Sequence, residues 1–278
     1  MATVTAPATV GEPQLRAPKS SVKQKRRRKL PRWAGGLIGI IGVLVVWQIV
    51  GALDVAKGGI PTATKVFSHM GDDGWSFYWE NIKSTMTEAI TGYVWGNVLA
   101  IGLAFIVLII PILEKPALQL GIVSYCVPVI AIGPILHIVF ANQSKTPPTI
   151  LAALFVFFTT LVGTLVGLRS AEPVMFDLVH AYGGGRVKEV TKIRLKSALP
   201  SVFAALRIAG PAAILGAILG EYMGANNGIG IAMINSQAQF DVPRTWGLAL
   251  VAGFLAIMAY ALTAGLGRVA TPWAPRNP

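Results

Sequence analysis

Few side chains in this sequence could do chemistry, and they fall into three groups. The first is the run Asp177-Leu178-Val179-His180-Ala181-Tyr182-Gly183-Gly184-Gly185, followed by Arg186 to Leu195 and closed by Ala198-Leu199-Pro200. The apolar Val187, Val190 and Ile193 recur at i, i+3 and i+6 among basic residues, which predicts a short amphipathic helix after a glycine break. The run therefore reads as helix, glycine hinge, helix, proline. Its triple glycine has two readings: a sharp turn that a side chain would resist, or a flexible loop. The second group is Pro128, Gly133, Pro134 and His137. Two prolines inside one apolar segment remove backbone hydrogen bonds and bend a helix, which a membrane tolerates where the freed carbonyls face protein or water. That suits a pore-lining helix and a bent packing helix equally. His137 has no second histidine at metal-ligand spacing and is expected among head groups or water at the outer end. The third group, Glu221, Tyr222 and Met223, closes an apolar stretch. It reads either as an outer gate or docking point, or as an acid solvated at a helix end.

Catalytic constellations are missing. The sequence has no Gly-x-Ser-x-Gly elbow, no His-Glu-x-x-His pair and no pair of intramembrane aspartates. It also lacks the Gly-x-x-x-x-Gly-Lys-Ser/Thr loop that would cradle a nucleotide phosphate. Its one cysteine, Cys126, excludes an intrachain disulfide and any cysteine-built metal site.

The elements that must carry these groups are membrane helices. Of 278 residues, 54% are hydrophobic and 13% charged, with a mean hydropathy of +0.62; soluble domains carry about 25% charged residues. Thirty glycines and 18 prolines fit a bundle whose helices satisfy one another's freed backbone groups. Six apolar stretches approach the roughly 20 residues needed to span a bilayer: Trp33–Leu53, Ile90–Ile112, Ala117–Phe140, Thr149–Leu168, Ser201–Gly220 and Trp246–Leu266. An even count puts both termini on one side. Basic residues crowd the first tail, Arg169 to Lys196 and the segment after the last span, while the opposite face holds only Lys57, Lys65, Lys83, Lys145 and Arg244. By the positive-inside bias both termini are cytoplasmic. The net charge of +12 is thus first a topology signal, and nucleic acid is not the expected partner.

Residues 1–32 read as a disordered basic tail. Its run Lys25 to Lys29 serves as a topology determinant or as a grip on anionic lipid. Residues 54–89 form an extracytoplasmic segment of short surface helices broken at Gly58 to Pro61 and at Gly71 to Gly74. Its aromatics Trp75, Phe77, Tyr78 and Trp79 suit an interfacial anchor or a dock for an external partner. Residues 90–268 form the core, with a cytoplasmic loop at 169–200, and 269–278 a second tail. Ionisable groups at membrane depth are scarce. Arg207, about two turns into the fifth span, can snorkel to the cytoplasmic interface. This scarcity argues against an ion-coupled secondary transporter, which stands as the alternative function.

The loop resembles the coupling loop of permease subunits of ABC importers, whose signature is Glu-Ala-Ala, three residues, Gly, nine residues, Ile-x-Leu-Pro. Gly183 falls on its glycine, Ile193 on its isoleucine and Leu195 on its leucine; Asp177 stands for the glutamate, Leu178 and Val179 for the alanines, and Lys196 for the proline. Leu199-Pro200, Leu206-Arg207-Ile208-Ala209, Glu221-Tyr222-Met223 with Gly228-Ile229-Gly230, and Ile60-Pro61-Thr62-Ala63 are similar to further segments of that family in the same order. The likeness is nearest to the branch for nitrate, sulfonates, taurine and pyrimidine precursors.

The resemblance implies an all-α, six-span permease of the type I importer fold. Its partners would be a second, identical permease, two ATPase subunits and an extracytoplasmic solute-binding protein, all in a cell membrane. It implies no catalysis and no cofactor on this chain, ATP and magnesium being bound by the ATPases. Asp177–Gly185 would seat on the ATPase, and the pathway or gate candidates are Pro128, Pro134, His137, Glu221, Tyr222 and Met223.

Overall fold

Apolar runs punctuated by glycine and proline fold here into helices alone. The computed structural model describes residues 32–126, 129–140 and 145–274, and no strand occurs among them. In chain order the helices are α1 (Arg32–Ala52), α2 (Ala63–Asp73), α3 (Trp75–Ile109), α4 (Glu114–Cys126), α5 (Val129–Val139), α6 (Thr146–Arg169), α7 (Pro173–Ala181), α8 (Arg186–Lys188), α9 (Leu195–Glu221), α10 (Ile229–Ala238) and α11 (Val242–Ala270). A π-helical turn, Glu189–Arg194, joins α8 to α9. The chain divides into two units, Met1–Val43 and Leu44–Pro278. In the first, only the opening of α1 is described.

Among the described residues, five helical stretches are long and apolar enough to cross a membrane: Gly35–Ala52, Trp75–Ile109, Thr146–Arg169, Arg186–Glu221 and Val242–Ala270. Each contains or nearly coincides with an expected span. The third expected span, Ala117–Phe140, falls on α4 and α5, helices of 13 and 11 residues on either side of residues 127–128. Pro128 lies outside the described residues. The second expected span also differs, because α3 starts at Trp75 rather than Ile90. Gly74, at φ +78°, breaks the chain there, so the four aromatics form the first turn of a long helix instead of a separate surface element. Trp75 and Trp79 are exposed, while Tyr78 is buried.

The core is α6 packed on α9 and α3. In lipid the hydrophobic effect does not drive helices together, so close van der Waals approach of small residues must. Gly96 of α3 and Gly216 of α9 provide it. A Cβ at Gly96 would lie 2.6 Å from the Ala153 carbonyl oxygen, and one at Gly216 would lie 2.7 Å from the Ala152 Cα. Polar groups add a second tie: the Thr160 hydroxyl donates to Asn97 Oδ1 at 2.6 Å, joining α6 to α3. Outside this core, Trp95, Val98 and Leu99 of α3 and Ile257 and Leu262 of α11 are exposed, as hydrocarbon contact demands.

Residues 54–73 are held down by a clamp on α11. Arg244 donates to Asp73 Oδ1 from Nε at 2.9 Å and Nη2 at 2.5 Å, the Tyr78 hydroxyl donates to Asp73 Oδ2 at 3.1 Å, and His69 Nε2 donates to Asp241 at 3.1 Å. Burial pushes the Asp73 carboxyl up, but Arg244, Tyr78 and His69 together outweigh it and hold it below the usual carboxylate range. Trp47 stacks on Trp246 with centroids 5.5 Å apart. Each indole N–H reaches a carbonyl of the intervening segment, that of Pro61 and that of Gly59 respectively.

Candidate functional site

The stretch Arg186–Glu221 is 36 residues of continuous helix. At 1.5 Å per residue its ends are roughly 50 Å apart. Both groups of candidate residues that fall wholly within the described structure sit at these ends.

At the N-terminal end, α7 begins with Pro173 in its first turn, where the missing N–H costs nothing. It finishes in a tight cap. Gly183 has φ +69°, its N–H donates to the His180 carbonyl at 2.9 Å, and the Gly184 N–H reaches back to the Val179 carbonyl at 2.7 Å. These are the two bonds of a Schellman motif, which satisfies the last carbonyls of a helix and favours glycine in the left-handed position. Gly184 is buried, and a side chain there would overlap that of Val179. The expected hinge is therefore a fixed turn: Gly183 and Gly185 are exposed with open space around the Cα, but Gly183 is held in the left-handed region and Gly184 is closed in.

Two side-chain links brace the turn against the next segment. His180 Nε2 donates to Glu189 Oε1 at 2.8 Å, and the Arg194 guanidinium lies over the Phe176 ring at 5.1 Å. Ile193 is buried, anchoring the π-helical turn. The expected amphipathic helix over 187–193 is present but forms one piece with α9, and Pro200 lies within α9 instead of closing the loop. What α7 leaves uncovered is apolar: Val174, Met175, Leu178 and Tyr182 are exposed, the last at 82%. Asp177, His180 and Ala181 are also exposed, and Val179 is half-buried.

The C-terminal end is the opposite in character. Glu221 is fully buried, not solvated at a helix end. The Gly230 N–H donates to its Oε2 at 2.6 Å, its Oε1 has no hydrogen-bond partner, and the Thr85 hydroxyl of α3 accepts from the Ile229 N–H at 2.9 Å. Glu88, also buried, is the neighbouring acid, and its Oε2 likewise has no hydrogen-bond partner. Ser84 donates to Glu88 at 3.4 Å, and Asn81 Oδ1 accepts the Gly228 N–H at 3.2 Å. Gly228, at φ +131°, leaves the space that the Glu221 carboxyl occupies.

The scarcity of buried ionisable groups expected from the sequence is therefore corrected by one pair. Glu88 had been placed outside with the acids of 54–89. The signal was present: Asn81, Ser84, Thr85 and Glu88 stand at i, i+3, i+4 and i+7, one polar stripe of a helix.

Met223 packs against Gly133 of α5. His137 is half-buried instead of facing head groups, its Nε2 donating to the Gly220 carbonyl at 3.1 Å. Pro134 is inside α5, and the Tyr222 hydroxyl donates to Met233 Sδ at 3.4 Å. Thus Pro134, His137, Glu221, Tyr222 and Met223 gather at one junction of α5, α9 and α10. No group of three or more His, Cys, Asp or Glu residues suited to a metal exists among the described residues.

Residues 96–274 match the family of binding-protein-dependent transport system inner membrane components. The chain belongs to that family. Among its relatives are the formylaminopyrimidine transport permease protein ThiX of Halalkalibacterium halodurans, 28% identical over 83% of this permease and 92% of that protein, and the putative aliphatic sulfonates transport permease protein SsuC of Bacillus subtilis, 26% identical over 80% of each. The riboflavin transport system permease protein RibX of Chloroflexus aurantiacus is 24% identical over 70% of this chain and 72% of its own.

The fold matches a solved structure of the MetNI methionine ABC transporter in an inward-facing conformation, with a TM-score of 0.52 at 18% identity, over 70% of this permease and 94% of that chain. The protein is the transmembrane permease subunit of an ABC importer, a multi-pass protein of the cell membrane with the all-α type I fold. Membership of the family brings with it ATPase and solute-binding-protein partners.

Proposed function

We propose that this permease moves a small solute through a pathway made by two identical copies, driven through the turn Asp177–Gly185. In this reading the chain has six spans with both termini cytoplasmic, and α4 and α5 together make the third. Residues 1–32 and 269–278 are tails, 54–89 is extracytoplasmic, and 169–200 is the coupling loop. The carrying observation is the braced turn. Exposed Val174, Leu178 and Tyr182 offer an apolar face, while the Schellman cap, His180–Glu189 and Arg194–Phe176 fix that face to a helix that continues to Glu221.

An ATPase subunit seated on α7 would therefore move α9 as a lever. The far end, where Pro134, His137, Glu221, Tyr222 and Met223 meet, would gate the pathway, and Pro128 belongs to the same proposal by sequence. ATP and magnesium sit on the partner ATPases; this chain holds no cofactor and performs no catalysis. The solute is a small sulfonate, nitrate or pyrimidine-like compound delivered by the binding protein, a reading supported by the names of ThiX and SsuC.

Gly183→Trp tests the coupling role. The expected result is an inserted permease whose ATPase turns over without uptake. Undiminished uptake would overturn it.

A further inference from the structure

A cleft of about 660 Å³ opens between α9 and α11 on the side of the coupling turn, and two arginines line it: Arg207 and Arg268. Its remaining wall is made of small or apolar residues, including Pro200, Phe203, Ala204 and Gly267, which leave the space open and offer no counter-charge. Arg207 is half-buried. Its guanidinium lies over the Tyr260 ring at 5.3 Å, which holds it in place, yet its buried Nε has no hydrogen-bond partner.

Neither arginine forms an ion pair among the described residues. No acidic residue is among those that line the cleft. Thr263 and Thr271, also in the wall, spend their hydroxyl hydrogens on backbone carbonyls, which leaves the two guanidinium groups as the side-chain donors of the described lining.

An unpaired cation within a membrane helix is costly and marks function by default. A planar guanidinium fork matches the oxygens of a phosphate group, and basic pockets between membrane helices on the cytoplasmic side hold anionic head groups. We infer that this cleft is a binding site for one phosphate group, taken either from an anionic phospholipid head group or from a free phosphate. Arg268, exposed near the end of α11, meets the ligand first. Arg207, deeper along α9, completes its coordination with the part of its guanidinium that lines the cleft. An occupant here bridges α9, the helix that carries the coupling turn, to α11.

The test is native mass spectrometry on the intact transporter complex after delipidation. The complex is titrated separately with phosphatidylglycerol, with zwitterionic phosphatidylcholine and with inorganic phosphate. One tightly retained phosphatidylglycerol per permease, with phosphatidylcholine weaker, supports the site and assigns it to lipid; retention of phosphate alone supports it and assigns it to a soluble ligand. Arg268→Gln and Arg207→Gln are each expected to weaken retention about tenfold or more, as for loss of a charged hydrogen bond. Ala204→Phe, which fills the cleft and leaves both charges in place, is expected to do the same and serves if Arg207→Gln does not fold. Equal retention of both probes by the parent, Arg268→Gln and Ala204→Phe proteins would overturn the inference, as would no retention of either by the parent.

Discussion

The two ends of the helix Arg186–Glu221 solve opposite problems. At the turn, order is built from local backbone bonds, a left-handed glycine and two surface links, and the apolar face of α7 stays uncovered. At the junction around Glu221, polar groups from α3, α9 and the start of α10 are buried together and bond one another, with Glu88 Oε2 and Glu221 Oε1 left unpaired. A surface meant for a partner can be changed at little cost to the fold, because solvent or the partner satisfies what is altered. A buried polar network cannot, since each lost partner strands another group in low dielectric.

Substitutions that separate stability from coupling sharpen this contrast. The largest loss of stability is expected at the buried end. Gly228→Val forces a side chain into the Glu221 carboxyl at a positive φ and should destabilise the permease by about 3 kcal/mol, read as a lowered unfolding midpoint in lipid nanodiscs. Glu221→Leu strands the Gly230 N–H and should cost about 1–3 kcal/mol. Glu221→Gln keeps an acceptor for that N–H and should recover most of it; equal loss in both variants would show that burial volume, and not the hydrogen bond, sets the cost.

At the exposed end, Leu178→Asp should leave the midpoint within about 0.5 kcal/mol and weaken ATPase binding about tenfold, measured by co-purification against added ATPase subunit. His180→Gln, which removes a partly exposed link, should change stability by less than about 1 kcal/mol. The clamp at Asp73 should respond to pH least of all. Its carboxyl is held below the ordinary value, so its contribution is fully present above about pH 3.9 and is lost only as pH falls through the lower folded value. Between pH 5 and 8 the carboxyl stays ionised, so Asp73→Asn should lower the midpoint throughout that range; a midpoint unchanged by the substitution would mean the Arg244 pairing is not made.

How much of this could be read from the sequence depended on the range of the interaction. Apolar length placed the long helices, because spanning is set by continuous composition, and the run from Asp177 through Gly183 to Ile193 located the glycine turn that ends α7. It could not distinguish hinge from cap, since that rests on whether the Gly184 N–H finds the Val179 carbonyl. Glu88 was misread because an acid between aromatics and an apolar stretch looks like the end of an outer loop, and its partner lies 133 positions away in the chain.

The sequence by itself determined that the chain is a helical membrane protein, which way its basic residues bias it, and where a glycine turn interrupts it. Those are local properties of composition and spacing. Only the tertiary structure decided that Glu88 meets Glu221, that His137 reaches the Gly220 carbonyl, and that Arg207 and Arg268 share one cleft. Each of those facts depends on which faces of distant helices meet, and small residues such as Gly96 and Gly216 set that by letting α6 approach closely enough to fix the register of the rest.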